Sequence, residues 1–192
     1  MTPLGLGWPN FVSVLRILMV PFLVVLILAE ERTASYVAAG IFAAGAATDG
    51  LDGYLARRFG STTRTGQWLD PLADKLLVAA TVLTLAALDR FPVWAAVVIL
   101  AREVAISVLR VLLGLRGISL PASRAAKMKT TLQLVAIVLY ILPLGSGASA
   151  GKLAVLLVAL IFTVATGGDY MVRSAGSIRR VGRRGAGEEL RR

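Results

Sequence analysis

The sequence contains no cysteine and no histidine among its 192 residues. Disulfides, zinc-finger sites and a histidine general base are therefore excluded. Aromatic residues make up only 7% and acidic residues number 11, so any acid–base or metal chemistry falls to a few carboxylates, lysines, tyrosines and hydroxyls. A site built of carboxylates alone favours hard divalent cations such as Mg2+ or Mn2+.

Apolar residues are what the chain has in excess: 57% are hydrophobic and the mean hydropathy is +0.77. No soluble domain needs that much apolar surface, so the composition predicts an all-α integral membrane protein. Six apolar segments of spanning length stand out, at 10–29, 34–57, 65–88, 93–113, 125–144 and 152–171. Asn10 after Pro9 suits a helix start, and Pro92, Pro121 and the Gly145–Gly151 stretch mark later breaks. Residues 2–8 are too short to span and are expected to lie along the interface, with Trp8 at headgroup level. The first apolar run lacks a basic leader and a small-residue cleavage site, so it reads as a first span and not a signal peptide.

The net charge of +10 would suit nucleic acid, but its placement excludes that partner. Fourteen of the 21 basic residues fall in alternate connections and the C-terminal tail, against three (Arg32, Arg90 and Lys152) in the connections between them. This asymmetry predicts both termini in the cytoplasm and an even number of spans, in contact with anionic lipid. Two units follow: a six-span domain over 1–173 and a flexible basic tail over 174–192. Four cations, Arg16, Lys75, Arg102 and Arg110, fall inside predicted helices and call for partners.

Four acids fall there too. Asp49 and Asp52 are three apart on the second span, and Asp70 and Asp74 four apart at the start of the third, so each pair shares a helix face. A short basic loop makes the two spans antiparallel neighbours, which brings both pairs to similar depth near the cytoplasmic end. Ionised acids inside a span cost about 2.5–3.5 kcal/mol each, and two divalent cations would neutralise the four. Such a metal pair suits phosphoryl transfer. Gly53 and Gly66 leave bare backbone beside the carboxylates, and Arg57 lies one turn beyond Gly53, placed to fork onto a diphosphate. Thr62, Thr63 and Arg64 lie in the loop as helix caps or phosphate contacts. Simple ion pairing with Arg57, Arg58 and Lys75, or an ion path in a cation transporter, are the competing readings of the acids.

The spacing Asp49-x2-Asp52-Gly53-x2-Ala56-Arg57-x8-Gly66-x3-Asp70-x3-Asp74 resembles the signature of the CDP-alcohol phosphotransferase family, without departure. That resemblance implies six spans and transfer of a phosphatidyl group from CDP-diacylglycerol to an alcohol, with release of CMP. It further implies that Asp49, Asp52, Asp70 and Asp74 hold two divalent cations, with Asp74 also the base. Gly53, Arg57, Thr63 and Gly66 would line the CDP-diphosphate, with Asn10 and Ser13 beside the nucleotide. A homodimer in the cell membrane is implied as well. Beyond the signature, "NFVSVLRILMVPF", "LDPLADK", "AREVAISVLR" and "KMKTTLQ" look most like members whose acceptor is sn-glycerol 3-phosphate. Phosphatidylglycerol and an inositol phosphate are the alternative acceptors.

A phosphorylated acceptor needs cations apart from the metal site. Arg102 and Arg110 on the fourth span, with Lys127 and Lys129 opening the fifth, are the candidates, and Glu103 is placed to orient one of them. Arg110, Lys127 and Lys129 also satisfy the charge asymmetry alone. Arg16 is expected to meet either a carboxylate or an acceptor phosphate. Asp169 reads as structural, and Tyr36, Trp68 and Trp94 as interface anchors.

Overall fold

A computed structural model describes the backbone of residues 8–59, 66–115, 117–118 and 124–189, and the side chains of 13–48, 71–115, 117–118 and 125–177. Residues 1–7 lie outside it, and with them the expected interfacial segment 2–8 except Trp8, which instead opens the first helix. Among the described residues the chain is all helical: α1 (Trp8–Leu28), α2 (Arg32–Phe59), α3 (Gly66–Ala87), α4 (Val93–Leu115), α5 (Arg124–Ile141) and α6 (Ser149–Glu189), with one 3-10 turn at Ser146–Ala148.

Each break has a local cause. Glu30 after α1 and Asp89 after α3 adopt left-handed φ values of 52° and 54°, which turn the chain out of the helix. Pro92 cannot continue a helix but its carbonyl accepts from the amides of Ala95 and Ala96, opening α4. Gly117, at φ 68°, ends α4, and the Ile118 amide returns to the Leu113 carbonyl at 2.9 Å. α5 stops at Ile141, three residues short of the predicted end, because Pro143 disfavours helical backbone in Leu142. α6 runs past the predicted span end at Met171 to Glu189, so residues 174–189, expected as a flexible tail, continue as helical backbone.

α1 packs chiefly on α3 and α2, α5 on α6 and α2, and α4 on α6 and α3. The core is formed by Leu23, Ile27, Phe42, Leu85, Phe91, Ile99, Ile137, Ile141 and Leu156, all essentially inaccessible. The distribution of polarity is the reverse of a soluble bundle. Leu18, Phe22, Val97, Ile161 and Val172 project outward, while Ser13, Arg16, Lys129, Gln133 and Thr163 are buried. Hydroxyls of Thr81, Thr84, Thr163, Thr166 and Ser174 donate to carbonyls one turn back, at 2.7–2.8 Å, which satisfies them without water.

By length and composition, one described stretch, Ser146–Ser177, is long and apolar enough to cross a membrane, and Ser13–Leu28 is a shorter apolar helix. The other helices carry charges within their length, Arg102, Glu103 and Arg110 in α4 and Lys127 and Lys129 in α5, or run beyond the described residues. α1, α3 and α5 begin and α2 and α4 end at one end of the bundle; Arg110, Lys127 and Lys129 lie towards it, with Arg102 and Glu103 at the middle of α4.

Candidate functional site

The four acids fall on the helices that the spacing predicts. Asp49 and Asp52 lie in the C-terminal half of α2 and Asp70 and Asp74 in the first turns of α3, and α2 and α3 touch. Gly53 and Arg57 follow on α2, Gly66 opens α3, and Asn10 lies in the first turn of α1. The side chains of Asn10, Asp49, Asp52, Arg57 and Asp70 lie outside the described residues, and so does Thr63 entirely. Among the described residues no group of three carboxylates gathers, since of the four aspartates only the Asp74 side chain is described.

Asp74 is held by Arg16. The guanidinium Nη1 donates to Oδ1 at 2.5 Å, from an arginine side chain only 4% exposed to a carboxylate 37% exposed. α1 and α3 pack side by side, and Ser13, one turn before Arg16, is buried in the same helix. Of the two partners open to Arg16 from the sequence, the structure selects the carboxylate. A hydrogen-bonded ion pair buried on its cationic side fixes the rotamer of Asp74.

The four cations proposed for the acceptor do not act as one set. Lys129, 4% exposed, donates to Glu103, and Arg102 Nη1 donates to the same Oε1 at 3.0 Å. Arg102 Nη2 also reaches Thr166 at 3.4 Å, and its aliphatic stem lies against Gly167, where an added Cβ would come 3.6 Å from Cγ. Three helices, α4, α5 and α6, thus close on Glu103. Arg110 and Lys127 instead are exposed.

Two residues beyond the four acceptor candidates bear on this cluster. Gln133, one turn after Lys129 and 4% exposed, keeps its Oε1 without a partner among the described residues, as does Arg102 Nε. Lys75, half-buried, lies within electrostatic reach of Glu103, Arg110 and Asp74. Its position directly after Asp74 turns it to a different face of α3, the one clue in the sequence. Asp169 pairs with Arg173 one turn later on the exposed face of α6, a structural role as expected.

Chemically, one end of the bundle presents a carboxylate fixed by an arginine. Buried Lys129 and half-buried Arg102 share the single carboxylate of Glu103, one positive charge in excess within this cluster among the described residues. A buried surplus cation calls for an anion.

Comparison with known proteins agrees. The profile of the CDP-alcohol phosphatidyltransferase family matches residues 6–165. A probable phosphatidylglycerophosphate synthase of Mycobacterium tuberculosis is 40% identical over 172 residues, which cover 88% of this chain and 82% of that protein. The CDP-diacylglycerol–glycerol-3-phosphate 3-phosphatidyltransferases of Rickettsia typhi and Bacillus subtilis are 37% and 34% identical. The match covers 84% of this chain and 93% of the Rickettsia protein, and 86% and 94% for the Bacillus one. With its signature on α2 and α3 and its family profile spanning most of the length, the chain belongs to the CDP-alcohol phosphatidyltransferase family.

Proposed function

We propose that this protein transfers the phosphatidyl group of CDP-diacylglycerol to sn-glycerol 3-phosphate, giving phosphatidylglycerophosphate and CMP. The relatives named for this reaction support the reading. The observation that carries the acceptor is the pairing of buried Lys129 and Arg102 on one Glu103. A phosphomonoester finds there the unbalanced positive charge that it requires, and the spare Arg102 Nε and Lys75 add donors.

In this reading the C1 hydroxyl of the acceptor attacks the β-phosphorus of the donor. Asp74 takes the hydroxyl proton as the new P–O bond forms, and the bond to CMP breaks. Arg16 holds Asp74 towards the acceptor. Arg57, Gly53, Thr63 and Gly66 are assigned to the diphosphate, with Asn10 and Ser13 beside the nucleotide. Arg102 and Lys129 hold the acceptor phosphate, while Arg110 and Lys127, both exposed, draw anions towards the site.

Asp49, Asp52, Asp70 and Asp74 form an all-oxygen donor set on two touching helices, chemistry that fits hard divalent cations. When bound, two Mg2+ or Mn2+ ions would polarise the phosphoryl group and neutralise developing charge.

The outward apolar side chains and buried cations support a multi-pass protein of the cell membrane with this end in the cytoplasm. The six-helix unit over 1–173 carries the activity, the tail is accessory, and we extend the reading to a homodimer, as the family resemblance implies. Purified protein given CDP-diacylglycerol and either glycerol 3-phosphate or phosphatidylglycerol should release CMP with the former. Release only with phosphatidylglycerol would overturn the acceptor, and ion flux without CMP release would overturn the enzyme.

A further inference from the structure

At the opposite end of the bundle lies a cavity of about 510 Å³, lined by Glu30, Ser35, Arg90, Tyr140, Lys152 and the Leu142–Leu144 turn. Along α5, Tyr140 is eleven residues from Lys129, about 16 Å at the helical rise, so this is a separate site. Its volume falls in the range of small-molecule and headgroup pockets.

Its charge is unusual for this face. Only three basic residues occupy the connections at this end, Arg32, Arg90 and Lys152, and two of them line the one cavity. Arg90 and Lys152 line it together, and Glu30 is the one carboxylate among the lining residues. Both are fixed by the end of α5. Arg90 Nη2 donates to the Ile141 carbonyl at 2.7 Å and Lys152 Nζ to the Leu142 carbonyl at 3.4 Å. Lys152 also stands 5.7 Å over the Tyr140 ring, which Phe91 braces edge-on at 4.8 Å. Each uses one donor for this, out of five on a guanidinium and three on an ammonium. Two like charges are thus held together with donors to spare.

We propose that this cavity binds the phosphodiester of an anionic phospholipid headgroup at the face of the membrane away from the catalytic end. The lining groups, two cations and Glu30, sum to one positive charge, which a phosphodiester monoanion cancels and a phosphate dianion exceeds. A choline headgroup would bring its own cation towards Arg90 and Lys152. The proposal rests on the membrane-spanning reading, which places the cavity at headgroup level, and the lipid held there is neither donor nor acceptor of the reaction.

The test is native mass spectrometry of the full-length protein released from micelles doped with phosphatidylglycerol, phosphatidylcholine or inorganic phosphate. The double variant Arg90→Gln/Lys152→Gln should retain phosphatidylglycerol at least tenfold less than wild type, since each basic residue near a membrane surface contributes severalfold to anionic lipid binding. Glu30→Gln removes the one opposing charge and should raise retention, a gain that damage to the fold does not produce. Equal retention by the double variant, or no gain in Glu30→Gln, overturns the proposal. Phosphatidylcholine held as well as phosphatidylglycerol, or inorganic phosphate displacing the lipid, overturns the lipid assignment. CMP release measured on the same samples separates the two readings: an inactive wild type with its lipid retained refutes the proposed reaction alone.

Discussion

Arg16 of α1 and Asp74 of α3, 58 positions apart, form a 2.5 Å ion pair whose cation is buried and whose carboxylate is partly open. The proposed base is therefore held from behind by a group that has no other route to water. Removing either partner has a different consequence. Arg16→Ala leaves Asp74 unpositioned, and CMP release should fall about 10- to 100-fold, with a loss of stability of only about 1 kcal/mol, because the carboxylate left behind is partly open to water. A variant with wild-type turnover would show that Arg16 does not position the base.

Asp74→Asn keeps the shape and a hydrogen-bond acceptor for Arg16 but cannot take a proton. Turnover should fall by about 10²–10⁴, while CDP-diacylglycerol still protects the protein in a thermal-shift assay. Near wild-type turnover would place the base elsewhere.

The acceptor cations should divide by burial. Lys129→Met removes a cation that is 4% exposed and bonded to Glu103, and KM for glycerol 3-phosphate should rise about 10- to 100-fold, as for a lost charged hydrogen bond. Lys127→Met, on an exposed face two residues earlier, should change KM by no more than about threefold at physiological salt. Equal effects would mean that the pocket is not built around Glu103.

Glu103→Gln tests positioning. Lys129 and Arg102 would share a neutral partner, and two buried cations would repel one another. The rise in KM for glycerol 3-phosphate should exceed any change in KM for CDP-diacylglycerol, and Glu103→Asp should recover part of it. A fall in kcat alone, with both KM values unchanged, would contradict the role.

Chelation by EDTA should abolish CMP release, and Mg2+ or Mn2+ should restore it, because the donor set is carboxylate only. Activity that survives exhaustive chelation would refute the assignment of Asp49, Asp52, Asp70 and Asp74 as ligands.

The helices were legible from the sequence because their causes are local. Apolar runs of spanning length and breakers such as Pro92 and the Gly145–Gly151 stretch act within a few residues of themselves. The helical continuation through residues 174–189 was missed, since a Gly- and Arg-rich composition argues against regular structure. The acidic signature was legible too, as two pairs at one-turn spacing on adjacent helices. Of the partners of the cations, Glu103 was legible as an orienting group for one of them, but not which cations it would hold. Nothing within a turn of Arg16 identifies Asp74, and the 26 positions from Glu103 to Lys129 give no sign that Lys129 turns inward while Lys127 turns out.

By itself, then, the sequence determined the helical class, the placing of the four aspartates on α2 and α3, and the family, all of which follow from short-range spacing. Only the tertiary structure decided that Arg16 serves Asp74, that Arg102 and Lys129 converge on Glu103, and that Arg90 and Lys152 line one cavity with Tyr140. Burial leaves an ionised group no water to turn to, and the partner it then takes is set by which helices pack together, a property of the whole bundle.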